Sequence, residues 1–284
     1  MSDDSLSALP PPILTAHLFA DLDARLLELL RSLSPDDWGR PTVVPKWNVR
    51  QVTAHLLDTA LRRLSFARDE GGARAANSLS DRELANLVNR LNAQGVEVYG
   101  RLSPPVLISL MEVMLPQLHR YFLSLDPLAP ACIGVSWAGE SASQNWFDIA
   151  RELTERWHHQ QQIRLALDRP GIMTPTLYAP VLECFMRGLP HAYGDLAAPA
   201  GVTVEITISG DCGGTWWLER QADRWSLVGQ RERADIVART IVPQDIAWRV
   251  FTRGIDRAEA LGRTSTVGDE RLGRGVLNML AIVG

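Results

Sequence analysis

The chain has 284 residues, a formal net charge of −4, 46% hydrophobic residues and 22% charged residues. This length and composition predict a globular protein with one large domain or two domains of ordinary size. The mildly acidic charge gives no electrostatic footprint for binding nucleic acid. No apolar run reaches the roughly eighteen residues that a membrane helix needs, so we expect no membrane partner.

The N-terminus and the cysteines both predict a cytoplasmic protein. The first residues, MSDDSLSALPPPI, are acidic and proline-rich and lack the basic and apolar regions of a signal peptide. The three cysteines, Cys132, Cys184 and Cys212, are far apart and match no zinc-binding or redox spacing. We therefore expect free thiols in a reducing compartment.

The first 170 residues are predicted to be helical. Asn48 and Gln51 have the spacing of a capping box, so a helix is predicted to begin there. Pro104 and Pro105 are predicted to begin another helix, because proline suits a first helical turn. Asn145 is predicted to cap the last helix of this half. Together with the apolar periodicity, these signals predict five helices, over residues 14–33, 48–67, 80–102, 106–125 and 146–167.

Residues 168–175, with the sequence DRPGIMTP, are rich in helix breakers and are predicted to link two domains. A helix is predicted next, over residues 177–189. The segments VTVEITISG and GTWWLERQADRWSLVG alternate apolar and polar residues as strands do, and ADIVARTIV resembles a further strand. Helices are then predicted in VPQDIAWRVFTRG, in DRAEALG and over residues 269–282. We therefore predict an α plus α+β fold, with a helical domain over 1–170 and a smaller α+β domain over 175–284.

Three residues from two of the predicted helices form a candidate metal site. Glu155 and His159 are four residues apart, so they share one face of the last helix of the N-terminal half. His55 lies about a hundred residues earlier, in the helix that begins at Asn48. Two imidazoles and one carboxylate suffice to bind a divalent metal such as zinc and leave one coordination position open. An open position allows the metal to act in catalysis, provided that the two helices pack side by side.

The hydrophobic periodicity of both helices favours a simpler interpretation, in which all three residues face water. In the first helix, the apolar residues centre on a face that lies away from His55. In the second helix, they centre on a face opposite Glu155 and His159. These apolar residues are Val49, Val52, Leu56, Leu57, Ala60 and Leu64 in the first helix, and Trp146, Ile149, Ala150, Leu153 and Trp157 in the second. The competing interpretation is that both polar faces line one wet cleft. Periodicity does not distinguish a solvated face from a polar cavity.

Neighbouring residues offer alternatives for some of these roles. His158 could replace His159 as a ligand, or it could be a buried histidine that supports the site. Gln162 lies near the Glu155 face, where it could orient a ligand or be solvated. His119 and His191 have no clustered partners and are predicted to be structural. Trp47 is predicted to anchor the start of the His55 helix.

The segment from Trp47 to Leu56 has the pattern W-N-V-x-x-V-x-A-H-L and resembles the second-helix motif of the DinB-like metalloprotein superfamily. Within that superfamily the chain is most similar to the mycothiol-dependent maleylpyruvate isomerase family. That family pairs this histidine with E-x-x-x-H on the last helix of a four-helix bundle, and Glu155, His159 and the run from Gln160 to Arg164 match this motif. The resemblance implies that His55, Glu155 and His159 bind the metal. It also implies that residues 177–284 form a sterol-carrier-protein-like domain.

The resemblance further implies an enzyme that uses mycothiol or another low-molecular-weight thiol on a small-molecule substrate. In an isomerase of this type, the thiolate adds to the double bond of a dicarboxylate-like enone, the adduct rotates, and elimination gives the trans isomer. Arginines would bind the substrate carboxylates, and the candidates are Arg164, Arg239, Arg249 and Arg253, each of which also suits a surface position. The same ligand set would serve a thiol S-transferase, a metal-dependent hydrolase or a non-catalytic metal- or ligand-binding protein. We expect a monomer or a homodimer.

Overall fold

The computed structural model describes residues 10–69, 81–229 and 236–281, which divide into a helical unit and a unit built on a small sheet. The helical unit comprises Leu14–Ser136 and Glu140–Met173. The sheet unit contains the other described residues, which are 10–13, Trp137–Gly139 and 174–281. The predicted α plus α+β fold class is thus confirmed. Among the described residues, no helix combines the length and the apolar character needed to cross a membrane.

The helical unit contains five long α-helices in its described part. They are α1 (Phe19–Arg31), α2 (Val49–Arg63), α3 (Asp81–Tyr99), α4 (Pro104–Ser124) and α5 (Asn145–Leu167). The last turn of α2 runs on as a π-helical turn, Leu64–Arg68. The predicted start of the third helix, residue 80, lies outside the described residues. The five helical regions expected from the sequence are therefore present.

Local signals set the starts of two of the three helices for which the sequence predicts a start signal. The predicted capping box of α2 is confirmed, because the Gln51 amide donates to Asn48 Oδ1 at 3.0 Å and the Asn48 amide donates to Gln51 Oε1 at 2.9 Å. The predicted start of α4 at its two prolines is also confirmed. The predicted cap of α5 is wrong. Gln144 is the N-cap residue, and Asn145 is the first helical residue, whose side chain donates to the Asp126 carbonyl across the preceding connection.

Helix α5 is buried on almost every side, and this burial positions the candidate site. Trp157 on its apolar face is fully buried, but Thr154 and His158 on other faces are buried as well. Arg156 is also buried, and its Nη1 donates to Asp23 Oδ1 on α1 at 3.1 Å. Because partners within the unit satisfy these polar groups, the helix can be surrounded by protein without leaving unpaired charges.

Gly95 brings α3 close to α2. A Cβ atom at this position would lie 2.2 Å from the carboxyl carbon of Asp58 on α2. Val96, the next residue, is 7% exposed. A side chain here would therefore force the Asp58 carboxylate or one of the two helices to move.

The sheet unit contains five strands in its described part, in the order β3-β2-β1-β4-β5. Strands β1 and β4 are parallel, and the other neighbours are antiparallel. The elements are α6 (Pro175–Met186), α7 (Leu189–Ala192), β1 (Thr203–Ser209), β2 (Gly214–Arg220), β3 (Trp225–Val228), β4 (Ile236–Pro243), α8 (Gln244–Phe251), α9 (Arg257–Arg263), β5 (Ser265–Gly268) and α10 (Glu270–Gly273). Alternate residues of β1, namely Val204, Ile206 and Ile208, are buried on one face of the sheet.

The last part of the sheet unit differs from the prediction. The helix predicted over residues 269–282 is wrong, because the described chain has only the four-residue helix α10 followed by a 3₁₀ segment, Arg274–Asn278. Residue 282 lies outside the described residues. Strand β5 was not predicted, and it pairs antiparallel with β4. Its four residues are too few for an alternating pattern to be recognised in the sequence.

Candidate metal centre

Helix α2 holds His55 inside the helical unit. The His55 side chain is 3% exposed. Trp47, which lies immediately before the cap of α2, packs against the imidazole with ring centroids 4.8 Å apart. His55 Nδ1 is buried and has no hydrogen-bond partner among the described residues. Since buried polar atoms nearly always have a partner, this nitrogen is suited to binding a ligand.

Helix α5 carries a second group of potential ligands, Glu155, His158 and His159. One ligand atom from each residue lies within 4.8 Å of the corresponding atoms of the other two. His159 Nε2 is 3.6 Å from Glu155 Oε2. Both histidines are buried, whereas the Glu155 side chain is 27% exposed. The carboxylate therefore lies where the buried cluster meets open space.

The packing of α2 against α5 brings His55 into contact with this group. The imidazoles of His55 and His159 meet edge to face, with centroids 4.6 Å apart and ring planes at 74°. The interpretation in which His55 and His159 face water is wrong, because both side chains are buried. Among the described residues, the structure thus places three imidazoles and one carboxylate together, one more imidazole than the predicted ligand set contains.

Hydrogen bonds fix the orientation of both histidines on α5. His159 Nδ1 lies 2.8 Å from Gln162 Oε1, and His158 Nδ1 lies 2.9 Å from the Thr154 carbonyl oxygen. Both partners are acceptors, so each histidine donates from Nδ1, and these bonds do not engage Nε2. An imidazole that binds a metal through one nitrogen commonly donates from the other in this way. Gln162 is thus placed to orient His159.

The surroundings shift the pKa values of these groups in directions that suit metal binding. Burial and the neighbouring His159 hold the pKa of His55 well below its usual value of 6.5. Burial, with His159, lowers the pKa of His158 to about 3. Burial alone would raise the pKa of Glu155, but the adjacent His158 and His159 and the Arg151 guanidinium lower it to about 2. At neutral pH, His55 and His158 are therefore neutral and Glu155 is ionised, which are the protonation states of metal ligands.

A cavity of about 190 Å³ in the helical unit reaches His55 and Glu155. Its polar lining includes His55, Thr59, Arg62, Arg63, Asn92, Cys132, Arg151, Glu152 and Glu155. Its apolar lining includes Phe66, Ala67, Leu84, Leu87, Val88, Leu91 and Ile133. A small molecule in this cavity would therefore have direct access to two of the predicted ligands.

The arginines that line the cavity already have acidic partners. Arg63 pairs with the buried carboxylate of Asp148. Arg151 pairs with Asp148 at 2.9 Å and also with Glu152. These pairs hold both side chains beside the cavity and offset their charges.

The third arginine of the lining, Arg62, is paired as well. Its Nε lies 2.8 Å from Asp58 Oδ2, and its Nη2 donates to Asn92 Oδ1 on α3 at 2.5 Å. Arg62 thus links α2 to α3.

None of the four arginines proposed from the sequence to bind substrate is among the described residues that line this cavity. Arg164 donates to the backbone carbonyls of Arg169, Pro170 and Arg25, so it holds the end of α5. Arg239 lies 3.4 Å from Glu205, and Arg249 donates to the Gly254 carbonyl; both are in the sheet unit. Arg253, in the same unit, has a positive φ of 57°.

Sequence reasoning missed Arg62, Arg151 and Cys132 as residues of the cavity. Two of them carried a spacing signal, since Arg62 is seven residues after His55 and Arg151 is four residues before Glu155, each on the same helix face. Cys132 lies in the connection between α4 and α5, where no periodicity applies. Its position beside the cavity is visible only in the folded chain.

Comparison with known proteins assigns the family. Residues 19–164, which include α1 to α4, most of α5 and all the candidate ligands, match the family model described as the mycothiol maleylpyruvate isomerase N-terminal domain. No curated protein matches the chain in sequence. Two crystal structures of the mycothiol-dependent maleylpyruvate isomerase, one of a histidine-to-alanine mutant and one without a stated mutation, are similar with TM-scores of 0.49 and 0.45. Each has 13% sequence identity, over 83% of this chain and 85% of the other. The assignment rests on the family model, which spans more than half of the 284 residues: this chain belongs to the family of the mycothiol maleylpyruvate isomerase N-terminal domain.

Proposed function

We propose that this protein is a metal-dependent enzyme that uses a low-molecular-weight thiol, of the maleylpyruvate isomerase type. The observation that carries the proposal is the meeting of His55 from α2 with Glu155 and His159 from α5 beside one cavity. Membership of the family supports both the metal and the thiol. Mycothiol is the thiol that the family name suggests.

His55, Glu155 and His159 are the proposed ligands of a divalent metal, most simply zinc. Two features of the chain fit this role. His55 Nδ1 is buried without a hydrogen-bond partner among the described residues, and Gln162 orients His159 so that its Nε2 lies beside the carboxylate of Glu155. A divalent cation held there would acidify a coordinated thiol or water and polarise a carbonyl oxygen.

His158 is the alternative ligand from α5. Its Nδ1 is bonded to the Thr154 carbonyl, a bond that does not engage its Nε2, and it lies in the tighter cluster with Glu155 and His159. The contact between His55 and His159 favours the set that joins both helices, since a ligand from each helix also gives access to the cavity that His55 lines. His158 then supports His159 by packing against its ring at a centroid distance of 4.0 Å.

The reactive thiol comes from a small molecule in this proposal. Cys132 is the cysteine that lines the cavity, and burial raises its pKa, although the Arg63 guanidinium opposes the shift. Cys132 is therefore protonated at neutral pH, and a protonated thiol is a poor nucleophile. A low-molecular-weight thiol held next to Glu155 would supply the sulfur instead.

The proposed reaction leaves the thiol unchanged. Its thiolate sulfur forms a bond to one carbon of a cis double bond, and the π electrons move onto the conjugated carbonyl oxygen. The former double bond is now a single bond and can rotate. The electrons then return from the carbonyl oxygen to re-form the double bond, the carbon–sulfur bond breaks, and the thiolate and the trans alkene are released. The residues of the chain hold the thiol and the carbonyl at a fixed distance, which makes the addition effectively intramolecular.

Metal content tests the site. Wild-type protein should retain about one divalent metal per chain, and His55→Ala and His159→Ala should lose most of it. Elemental analysis of the purified proteins measures this directly. Equal metal content in the wild type and in both variants would refute the proposed ligands.

Thiol dependence tests the reaction. With a cis α,β-unsaturated ketone acid as the substrate, either maleylpyruvate or an analogue with one carboxylate, isomerisation should require added mycothiol, and the thiol should be recovered unchanged. A product that retains the thiol covalently would identify a thiol S-transferase that uses the same site. Ester or amide cleavage without a thiol would identify a hydrolase and contradict the thiol chemistry.

We also propose that residues 1–170 and 175–284 are two domains, and that the second is sterol-carrier-protein-like. The division between the two compact units at residues 173 and 174, together with the five-stranded sheet, supports this assignment. A cytoplasmic location and a monomeric or homodimeric state complete the proposal. Expression of residues 175–284 alone, followed by a thermal unfolding scan, tests whether the second part folds independently.

A further inference from the structure

One wall of the cavity beside His55 is the apolar face of α3. Leu84, Leu87, Val88 and Leu91 follow the i, i+3, i+4, i+7 spacing and therefore share this face. All four side chains line the cavity and are only half-buried. An apolar helix face normally packs into a core, so this face is left for the contents of the cavity to cover.

Phe66 extends this wall from α2. It lies in the π-helical turn at the end of that helix, is 36% exposed and lines the same cavity. The polar end of the cavity is marked by His55 and Glu155. The cavity thus has one polar end at the proposed metal ligands and one apolar side, as small-molecule sites commonly do.

The charges in the lining disfavour a second carboxylate on the bound molecule. Arg62, Arg63 and Arg151 are the arginines among the described lining residues, and each has an acidic partner within the helical unit. Because each guanidinium charge is already offset, a second carboxylate on the bound molecule would gain little from an ion pair here. An apolar group placed against α3 needs no such ion pair.

The size of the cavity fits one ring with a short polar group. Its volume is about 190 Å³, and a cavity of about 150 Å³ lined by apolar side chains holds benzene. The remaining volume accommodates a carboxylate or a carbonyl group.

We infer that the cavity binds molecules with a single anionic or carbonyl group and an apolar body about the size of an aromatic ring, in preference to dicarboxylates. The polar group points to His55 and Glu155, and the apolar body packs against Leu87, Val88 and Phe66. The inference rests on the proposed function for the metal at the polar end. The apolar wall is independent of that metal, so the preference for the apolar body persists without it.

Two carboxylates that differ at one position test the inference. trans-Cinnamate is fumarate with one carboxylate replaced by a phenyl ring. Isothermal titration calorimetry with the full-length protein, both zinc-loaded and treated with a chelator, should show cinnamate binding at least tenfold more tightly than fumarate in both forms. A tenfold ratio corresponds to about 1.4 kcal/mol.

A matched pair of variants assigns the preference to the wall. Leu87→Asn should weaken the binding of cinnamate about fivefold or more and leave the binding of fumarate unchanged. Leu110→Asn is the control, because Leu110 is 38% exposed on α4 and is not among the described residues that line the cavity. If Leu87→Asn proves unstable in a thermal scan, Val88→Thr replaces it with a change of nearly equal volume.

Fumarate binding as tightly as cinnamate would overturn the inference, and so would equal effects of Leu87→Asn and Leu110→Asn on cinnamate. The metal content of the same samples shows whether the proposed metal site has failed, independently of whether the preference for cinnamate has failed. Protein that carries no zinc but still prefers cinnamate refutes the metal site and retains the apolar wall. Protein that carries zinc but prefers fumarate refutes the role of the apolar wall and retains the metal site.

Discussion

His55 and His159 meet edge to face with ring centroids 4.6 Å apart, although about a hundred residues separate them in the chain. The contact depends on the capping box that starts α2 and on the burial of α5 among the other helices. His55 Nδ1 has no hydrogen-bond partner among the described residues, whereas His159 Nδ1 is hydrogen-bonded to Gln162.

His159 should matter more for metal binding than His158. Both histidines lie near Glu155 and donate from Nδ1, but His159 also contacts the ring of His55 and pairs with Glu155 at 3.6 Å. We expect His159→Ala to abolish retention of zinc and His158→Ala to lower it only in part. Elemental analysis after dialysis measures both variants, and the reverse order would make His158 the ligand.

Gln162 should raise the metal affinity by orienting His159. Loss of a group that holds a ligating histidine typically lowers metal affinity by about 10- to 100-fold, so Gln162→Ala should weaken zinc binding by at least about tenfold. Competition with a chromogenic chelator measures the affinity.

Gln161→Ala is the matched control for this prediction. Gln161 is buried on the same helix, and its Oε1 has no hydrogen-bond partner among the described residues. We expect its replacement to leave the zinc affinity unchanged. Equal losses in both variants would show that Gln162 acts through the packing of α5 and not through His159.

Asp148 should be a major contributor to stability, because it is fully buried and pairs with both Arg63 and Arg151. Asp148→Asn leaves these guanidiniums without their shared carboxylate. Breaking a buried pair in this way typically costs about 3–5 kcal/mol, measured as the free energy of unfolding in urea. Asp21→Asn, which removes an exposed pair with Arg25, should cost less than about 1 kcal/mol.

The contribution of Asp148 should depend on pH in a definite direction. Burial alone would raise its pKa, but Arg63 and Arg151 together hold the pKa below the usual 3.8. An acid whose pKa is lowered by folding stabilises the protein above its unfolded-state pKa and loses that effect as the pH falls through the folded-state value. The difference in unfolding free energy between the wild type and Asp148→Asn should therefore be constant above about pH 5 and shrink below about pH 4. A difference that grows as the pH falls would contradict the assignment.

Gly95→Ala should destabilise the protein although alanine favours helices. The new Cβ would lie 2.2 Å from the Asp58 carboxyl carbon, so the Asp58 side chain or α3 has to move. Overpacking of this kind typically costs about 1–3 kcal/mol, and thermal unfolding measures it. Gly262→Ala on α9, where a Cβ meets nothing within 4 Å, is the control and should be neutral or stabilising.

Local signals were sufficient to predict the starts of α2 and α4 and the apolar face of α2. Asn48 and Gln51 need only each other to form a cap, and Val49, Val52 and Leu56 are buried as their spacing predicts. The same periodicity failed for α5, because a helix enclosed by others buries its polar faces as well. His159 is 7% exposed although it lies opposite the apolar face.

The cavity could not be predicted from the sequence, because its lining comes from residues far apart in the chain. Cys132 and Arg63 gave no signal of a shared site, and they meet there only through the packing of the helices. The apolar spacing of Leu84 and Leu87 was recognisable as that of an amphipathic helix. Whether this face meets the core or an open space depends on how α3 packs against α2.

The π-helical turn at Leu64–Arg68 has a consequence for how this cavity could have arisen. Such a turn holds one residue more than an α-helical turn, as a single-residue insertion into a regular helix would leave. Deleting one residue there would restore the regular repeat and rotate Phe66 by roughly 100° about the helix axis. The shape of the cavity beside α2 is thus sensitive to the length of the chain at this point, and not only to the identity of its side chains.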